Sequence, residues 1–177
     1  MKLVYIKEEY TDYLRAVDER IPHNREKDYR RPYVGVVFSM KENLYFVPLT
    51  TSYKFKKLWD YPREKSMTFI PLGDKCKWGG LNINNMMPVV EGAYKTANYT
   101  IASADTKQER DRKFLLLKQK IFIDSIEKEI RRTALNLYNQ KNQGKLEKDF
   151  PWYDSATCDF KKLEIAAAKY QPSKKKK

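Results

Sequence analysis

The sequence has few of the residues that most often hold metal ions or form disulfides. Its 177 residues include one histidine, His23, and two cysteines, Cys76 and Cys158, which lie far apart. No histidines, cysteines or carboxylates cluster at the spacing of metal ligands, so neither a zinc site nor a disulfide framework is predicted. A single histidine also excludes catalysis by a pair of histidines within one chain. We therefore expect no cofactor.

Glycine-rich phosphate loops and long hydrophobic segments are lacking as well. Among six glycines only Gly79 and Gly80 are adjacent, and no Lys-Ser or Lys-Thr follows them at the spacing of a P-loop. No apolar run approaches the roughly 20 residues that span a bilayer, and the first seven residues are too short and too charged for a signal peptide. The sequence therefore predicts a cytoplasmic protein without a membrane partner.

What the chain does have is positive charge. It carries 36 lysines and arginines against 23 acidic residues, a formal net charge of +13. The terminal run Lys174–Lys177 supplies four of these charges, so +9 remains in the rest of the chain, which favours a polyanionic partner. The length suits one domain, predicted over residues 1–172, followed by a disordered lysine tail over 173–177.

Hydrophobic periodicity predicts strands first and helices later, as in an α+β fold. The strands are expected at 3–6, 67–72, 81–83 and 88–91, with a β-hairpin over 33–40 and 44–49. Helices are expected at 8–19, at 107–140 with one possible break, and near 160–170, and loops at 23–31 and 144–151. In the long helix the pattern predicts two neighbouring stripes: Phe114, Leu117, Ile121, Ser125 and Lys128; and Leu115, Phe122, Ile126 and Ile130.

One strand end combines hydroxyl and ammonium groups. The hairpin strand ending at Leu49 is followed by Thr50, Thr51, Ser52 and Lys54, groups that together can bind a phosphate. An ordinary polar loop would also use these residue types. A second set, Tyr29-Arg30-Arg31, precedes Pro32 and could equally be a solvated basic turn.

Tyrosine, serine, threonine, lysine and arginine suffice for one reaction on RNA. The 2′-hydroxyl can attack the adjacent phosphorus without a metal if a base removes its proton, cations stabilise the phosphorane, and an acid protonates the 5′ oxygen. The same charges and the 13 tyrosines would also suit a noncatalytic RNA-binding module. A DNA-binding regulator is less favoured, because no helix-turn-helix spacing is present.

Short motifs occur along nearly the whole chain. Taken in order, they resemble the ToxN/AbiQ endoribonuclease toxins of type III toxin-antitoxin and phage abortive-infection systems, with AbiQ as the nearest match. The motifs are Tyr13-Leu14, Ile21-Pro22, Gly35-Val36-Val37, Pro48-Leu49-Thr50-Thr51-Ser52-Tyr53-Lys54, Gly80-Leu81-Asn82-Ile83 and Cys158-Asp159-Phe160-Lys161-Lys162-Leu163-Glu164.

The resemblance implies a compact α+β domain: a curved antiparallel sheet of the barrel-like MazF/Kid type with additional helices, one of them long and in the C-terminal half. It implies metal-independent cleavage of RNA that leaves a 2′,3′-cyclic phosphate and a 5′-hydroxyl. It also implies two RNA partners, the substrate and a small repeat-encoded antitoxin RNA that folds as a pseudoknot, and a possible protein-RNA oligomer.

Carried over by position, the family's active-site tyrosine falls on Tyr29. Its Thr-Ser-x-Lys motif falls on Thr51, Ser52 and Lys54 if one residue is inserted after Leu49, whereas an ungapped alignment places the hydroxyl pair on Thr50 and Thr51. A lysine that often follows the tyrosine by four positions is here Tyr33. The residues expected to contact RNA are Arg30, Arg31, Thr50, Lys56, Lys57, Arg112 and Lys120.

Overall fold

The computed structural model describes residues 1–26, 29–50 and 67–171. Its strands are β1 (Lys2–Ile6), β2 (Arg25–Glu26), β3 (Tyr29–Arg30), β4 (Pro32–Met40), β5 (Asn43–Thr50), β6 (Phe69–Pro71), β7 (Gly80–Asn82), β8 (Met87–Val89) and β9 (Tyr94–Thr96). Its helices are α1 (Glu8–Val17), α2 (Lys107–Ser125), α3 (Glu127–Asn142), α4 (Lys145–Asp149), α5 (Pro151–Ala156) and α6 (Phe160–Lys169). The predicted lysine tail and its boundary with the domain lie outside these residues.

Seven of the strands form one antiparallel sheet. Its order is β6-β7-β5-β4-β1-β9, and β8 pairs with the first half of β5. Among the described strands β6, β8 and β9 each pair on one side only, so the sheet is open rather than a closed barrel. The predicted α+β class, the antiparallel sheet and the long helix in the C-terminal half are confirmed.

The β4–β5 hairpin forms the centre of the sheet. Both strands are rich in valine and aromatic residues, which suit a buried pleated surface, and Lys41 adopts a positive φ in the turn between them. Gly35 lies opposite Phe46, and a Cβ at Gly35 would come within 2.0 Å of the Phe46 ring. Glycine at this position therefore lets the ring lie across β4.

Tyrosine hydroxyls attach the helices to the sheet and to each other. Tyr10 on α1 donates to the Pro88 carbonyl at 2.9 Å. Tyr45 on β5 and Tyr138 on α3 both donate to Oε1 of Glu164 on α6, at 2.9 and 2.8 Å. Burial and the hydrogen bond to Glu164 raise the pKa of Tyr138 to about 12, so it stays a donor at neutral pH. These bonds set α1, α3 and α6 against the central strands.

A buried carboxylate joins the end of α1 to the start of α6. Asp18 accepts hydrogen bonds from the side chain and backbone of Arg20 and, at 2.7 Å, from the backbone N–H of Asp159. Burial opposes ionisation of Asp18, but these hydrogen bonds outweigh burial, and the pKa of Asp18 lies below its usual value. Cys158 and Cys76 are both buried, and neither forms a disulfide.

Two local predictions were wrong, and one strand was missed. Residues 23–31 were expected to form a loop, but they contain β2 and β3, which pair with each other. Residues 144–151 were also expected to form a loop, but α4 and the start of α5 occupy them. Sequence reasoning also missed β9, which pairs with β1. These elements have two to six residues, which is too short for a periodicity to develop.

The predicted stripes of the long helix were also wrong in part. The helix does break once, at Ile126 between α2 and α3. However, the buried face of α2 consists of Leu116, Gln119 and Ile123, whereas Phe114 and Ile121 are exposed. The four consecutive apolar residues 114–117 cover the whole circumference of the helix, so periodicity alone could not choose the buried side. None of the described helices has the length and apolar character needed to cross a membrane.

Candidate nucleic-acid interface

The predicted hydroxyl motif begins at the end of β5. On one side β5 pairs with β4, with Tyr33 opposite Pro48, and on the other side it pairs with β7, with Leu49 opposite Leu81 and Thr50 opposite Gly80. Thr50 is only 4% exposed, so the last residue of the strand is held in the interior. The remaining predicted residues of this segment lie outside the described residues, and their roles stay predictions: Thr51, Ser52, Lys54, Lys56 and Lys57.

Arg31 lies inside the protein, next to the end of β5. Its Nη1 donates to the Leu49 carbonyl at 2.7 Å, and its Nε donates to the His23 carbonyl at 3.1 Å. Its backbone N–H donates to the carbonyl of Asn24. The residue is only 6% exposed. The guanidinium that sequence reasoning placed on RNA is therefore bonded to backbone carbonyls of two separate segments.

Tyr29 and Arg30 form β3, immediately before Arg31. Tyr29 pairs with Glu26, and Arg30 pairs with Arg25. The main chain of Tyr29 is thus two residues from the arginine that contacts the end of β5, while its side chain lies outside the described part of the structure. The structure brings the backbone segments that carry the two predicted sets of site residues close together.

Arg112 connects the first half of α2 to the same region. Its Nη2 donates to the Arg30 carbonyl at 3.0 Å and to the Tyr5 hydroxyl at 3.2 Å, and its guanidinium carbon lies 5.4 Å from the centre of the Tyr5 ring. Sequence reasoning named Arg112 but missed Tyr5. No local signal could have found Tyr5, because the two residues are more than 100 positions apart.

Lys120 lies farther along α2, about 12 Å from Arg112 along the helix axis, as eight residues at the helical rise require. It forms an ion pair with Asp124, one turn later on the same helix. Asp124 also accepts a hydrogen bond from the amino group of Met1. The structure therefore places Lys120 in a different local cluster from Arg30, Arg31 and Arg112.

The solvent side of α2 combines basic and apolar side chains. We call it the outward face of α2; its residues are exposed and recur every three or four positions. Phe114 and Ile121 are 52% and 59% exposed, and Nζ of Lys118 lies 5.0 Å from the centre of the Phe114 ring. An exposed aromatic ring beside ammonium groups can stack on a base while the cations contact phosphates. The outward face consists of Lys107, Arg110, Phe114, Lys118 and Ile121.

Within the described ranges 1–26, 29–50 and 67–171, no group of three or more histidine, cysteine or acidic side chains is arranged to hold a metal ion. Three arginines instead lie around the end of β5, β3 and the first half of α2: Arg30, Arg31 and Arg112. This arrangement suits an anionic ligand and the stabilisation of negative charge.

Comparison with known proteins confirms the resemblance found in the sequence. A family model described as "Toxin ToxN, type III toxin-antitoxin system" matches residues 2–168. The endoribonuclease ToxN of Bacillus thuringiensis subsp. kurstaki is 30% identical over 94% of this chain and 82% of its own length. The endoribonuclease AbiQ of Lactococcus lactis subsp. lactis is 27% identical over 96% of this chain and 89% of its own length, so identity does not single out AbiQ as the nearest match.

Solved structures agree with these relatives. One comes from a type III toxin-antitoxin system in which a non-coding RNA pseudoknot inhibits the toxin; it is 30% identical, with a TM-score of 0.76 over 96% of both chains. The structure of AbiQ, a lactococcal anti-phage endoribonuclease, shares the fold with a TM-score of 0.75 over 94% of this chain and 95% of its own. Because the family model spans nearly the whole sequence and the fold agrees throughout, the chain belongs to the ToxN family of toxins of type III toxin-antitoxin systems.

Proposed function

We propose that this protein is a metal-independent endoribonuclease toxin that cleaves RNA by attack of a 2′-hydroxyl on the adjacent phosphorus. The products would be a 2′,3′-cyclic phosphate and a 5′-hydroxyl. The observation that carries the proposal is family membership over residues 2–168, with curated relatives that are endoribonucleases. Arg30 and Arg112, near the end of β5, support it, because cationic groups can stabilise a dianionic phosphorane.

In this proposal the segment that leaves β5 supplies the reacting groups. Ser52 or Thr51 contacts the scissile phosphate or helps to remove the 2′ proton, and Lys54 stabilises the phosphorane or protonates the leaving oxygen. Tyr29 positions the nucleotide or shares in proton transfer. The RNA backbone is followed by basic side chains near this segment and along α2: Arg30, Lys56, Lys57, Arg112 and Lys120.

A small non-coding RNA is the proposed inhibitor. A solved relative of the same family is inhibited by an RNA pseudoknot, and the net charge of +13 gives this chain the electrostatic attraction that such a partner requires. An antitoxin RNA that occupies the same basic surface as the substrate would block cleavage by competition. This inhibition would hold the toxin inactive until phage infection disturbs the balance between toxin and RNA, giving abortive infection.

Cleavage in the presence of a chelator tests the chemistry. The purified protein is incubated in excess EDTA with a labelled RNA oligonucleotide that contains a site it cuts, and with a matched oligonucleotide whose cut site carries a single 2′-deoxynucleotide. We expect the first RNA to be cut and the second to stay intact, because the 2′ oxygen is the proposed nucleophile. The 3′ end of the product should resist ligation until a cyclic phosphate is opened and removed.

Other outcomes separate the alternatives. Loss of cleavage in EDTA that magnesium restores would indicate a metal-dependent nuclease, and cleavage of the 2′-deoxy substrate at an equal rate would exclude the 2′-hydroxyl as nucleophile. Binding without cleavage of any RNA from a random-sequence pool would leave a noncatalytic RNA-binding protein as the function.

A further inference from the structure

The ladder between β4 and β5 lacks a backbone donor where it approaches the end of β5. Tyr33 stands opposite Pro48, and the same register would place Pro32 opposite Leu49. Proline has no N–H, so Pro32 cannot donate to the Leu49 carbonyl. The guanidinium of Arg31 makes this bond instead, with Nη1 2.7 Å from the Leu49 oxygen.

The other side of β5 is held by ordinary strand pairing. Leu49 pairs with Leu81 and Thr50 pairs with Gly80 of β7. Position 80 requires glycine, because a Cβ there would lie 2.2 Å from the Phe69 ring. The last two residues of β5 are therefore fixed by β7 on one side and by Arg31 on the other.

Arg31 also fixes the segment that carries Tyr29. Its Nε and its backbone N–H donate to the carbonyls of His23 and Asn24, which directly precede β2. Asn24 is itself buried, and its side-chain amide donates to the Ile6 carbonyl. One side chain thus links the end of β5 to the start of the β2–β3 pair, which contains the backbone of Tyr29.

We propose that Arg31 is a positioning residue for RNA cleavage: its guanidinium fixes the distance between the backbone of Tyr29 and the end of β5, from which the hydroxyl segment continues. This inference rests on the proposed function. A planar guanidinium donates from separate nitrogens in fixed directions, so it can hold two carbonyls at a set separation, whereas lysine presents all its donors from one nitrogen. Catalysis requires such precision, because small misplacements of reacting groups cost large factors in rate.

The experiment compares Arg31→Lys and Arg31→Ala with a control elsewhere in the fold, Arg131→Lys. Arg131, on α3, likewise donates from Nη1 to a backbone carbonyl of the β4–β5 hairpin, that of Val37 on β4 at 2.8 Å, but Val37 lies toward the turn, away from the end of β5. Each protein is assayed under single-turnover conditions with an RNA oligonucleotide that the wild-type protein cuts. The rate at saturation, the half-saturating protein concentration and the thermal unfolding midpoint are measured.

We expect Arg31→Lys to lower the saturating rate on the order of a hundredfold, with a half-saturating concentration within about threefold of wild type. Arg131→Lys should keep the saturating rate within about twofold of wild type, even if its unfolding midpoint falls as far as that of Arg31→Lys. Guanidinium ion at low millimolar concentration should restore part of the rate of Arg31→Ala, which a purely structural loss would not allow.

Four outcomes would overturn the inference. An unchanged saturating rate in Arg31→Lys, or an equal rate loss in Arg131→Lys, would show that Arg31 has no special role in positioning. A change confined to the half-saturating concentration would place Arg31 on the RNA, and unfolding of both Arg31 variants would assign the residue to fold stability alone. If the wild-type protein cuts no RNA, the proposed function fails and this inference fails with it. If the wild-type protein cuts and Arg31→Lys cuts equally well, only the inference fails.

Discussion

The end of β5 and the outward face of α2 are both rich in groups that suit RNA, but the protein holds them in different ways. At the end of β5, Thr50 is buried and the backbone is bonded on both sides, to β7 and to Arg31. On the outward face of α2, Phe114 and Lys118 are exposed, and the ammonium group of Lys118 lies over the Phe114 ring. The first arrangement limits motion of the backbone, whereas the second leaves side chains free to adjust.

From this difference we expect a division between catalysis and binding. Bond-making and bond-breaking need groups fixed within a fraction of an ångström, which a strand end inside the sheet provides. Contact with an RNA backbone depends mainly on charge and tolerates flexible side chains. Changes to the groups held at the end of β5 should therefore act on rate, and changes to exposed basic side chains should act on affinity.

The largest effect is expected from Ser52→Ala. If Ser52 contacts the scissile phosphate, loss of this transition-state contact should slow cleavage by about 3–4 kcal/mol, roughly a hundredfold to a thousandfold, with little change in unfolding free energy. Single-turnover cleavage and growth inhibition by the free toxin measure the effect. Thr51→Ala and Thr50→Ala are the matched variants. A fully active Ser52→Ala beside an inactive Thr50→Ala would move the hydroxyl pair to Thr50 and Thr51.

An intermediate effect is expected when the two sides of α2 are compared. Leu116 is 4% exposed, and Leu116→Ala should lower the free energy of unfolding by about 2–3 kcal/mol through lost burial and a cavity. Phe114→Ala removes an exposed ring and should cost less than about 1 kcal/mol, most of it the contact with Lys118. Denaturant unfolding of both variants measures the difference. Equal losses would mean that the outward face is covered in the folded protein.

The smallest effect concerns salt dependence. Each phosphate contact on single-stranded RNA should contribute about 0.7 log units of affinity per tenfold change in salt, so Lys56→Glu or Lys57→Glu should flatten the slope by about that amount. Lys145→Glu, an exposed position on α4, is the control with the same change in net charge. Binding of a labelled RNA across a salt series measures the slopes. Equal flattening by Lys145→Glu would mean that the total charge, and no local surface, determines binding.

Sequence reasoning succeeded where a pattern repeats along the chain. Segments rich in valine, phenylalanine and tyrosine at 33–40 and 44–49 predicted the hairpin that became β4 and β5, and the change to helical periodicity near residue 107 predicted α2 and α3. It failed for the two-residue strands β2 and β3 and for α4, whose few residues carry no period. It also assigned Phe114 and Ile121 to a stripe without the information that separates a buried face from an exposed one.

The candidate site shows the same limit at the level of single side chains. Tyr29-Arg30-Arg31 and Thr50 to Lys54 could be chosen from their residue types and their position at a strand end. Nothing in the sequence distinguished Arg30, which is exposed, from Arg31, which is buried against the Leu49 carbonyl. Both are arginines just before Pro32, and only the distant groups they meet, such as the Leu49 carbonyl 18 residues from Arg31, make them different.

The sequence by itself determined the charge of the protein, its residue chemistry, the longer strands and helices, and the family, because all of these depend on composition and on order along the chain. The tertiary structure alone decided that Arg31 faces inward, that Arg112 reaches β3 and Tyr5, and that the apolar residues of α2 divide between core and solvent. The physical reason is that hydrogen-bond partners and burial depend on tertiary contacts between distant segments, and no local sequence pattern specifies those contacts.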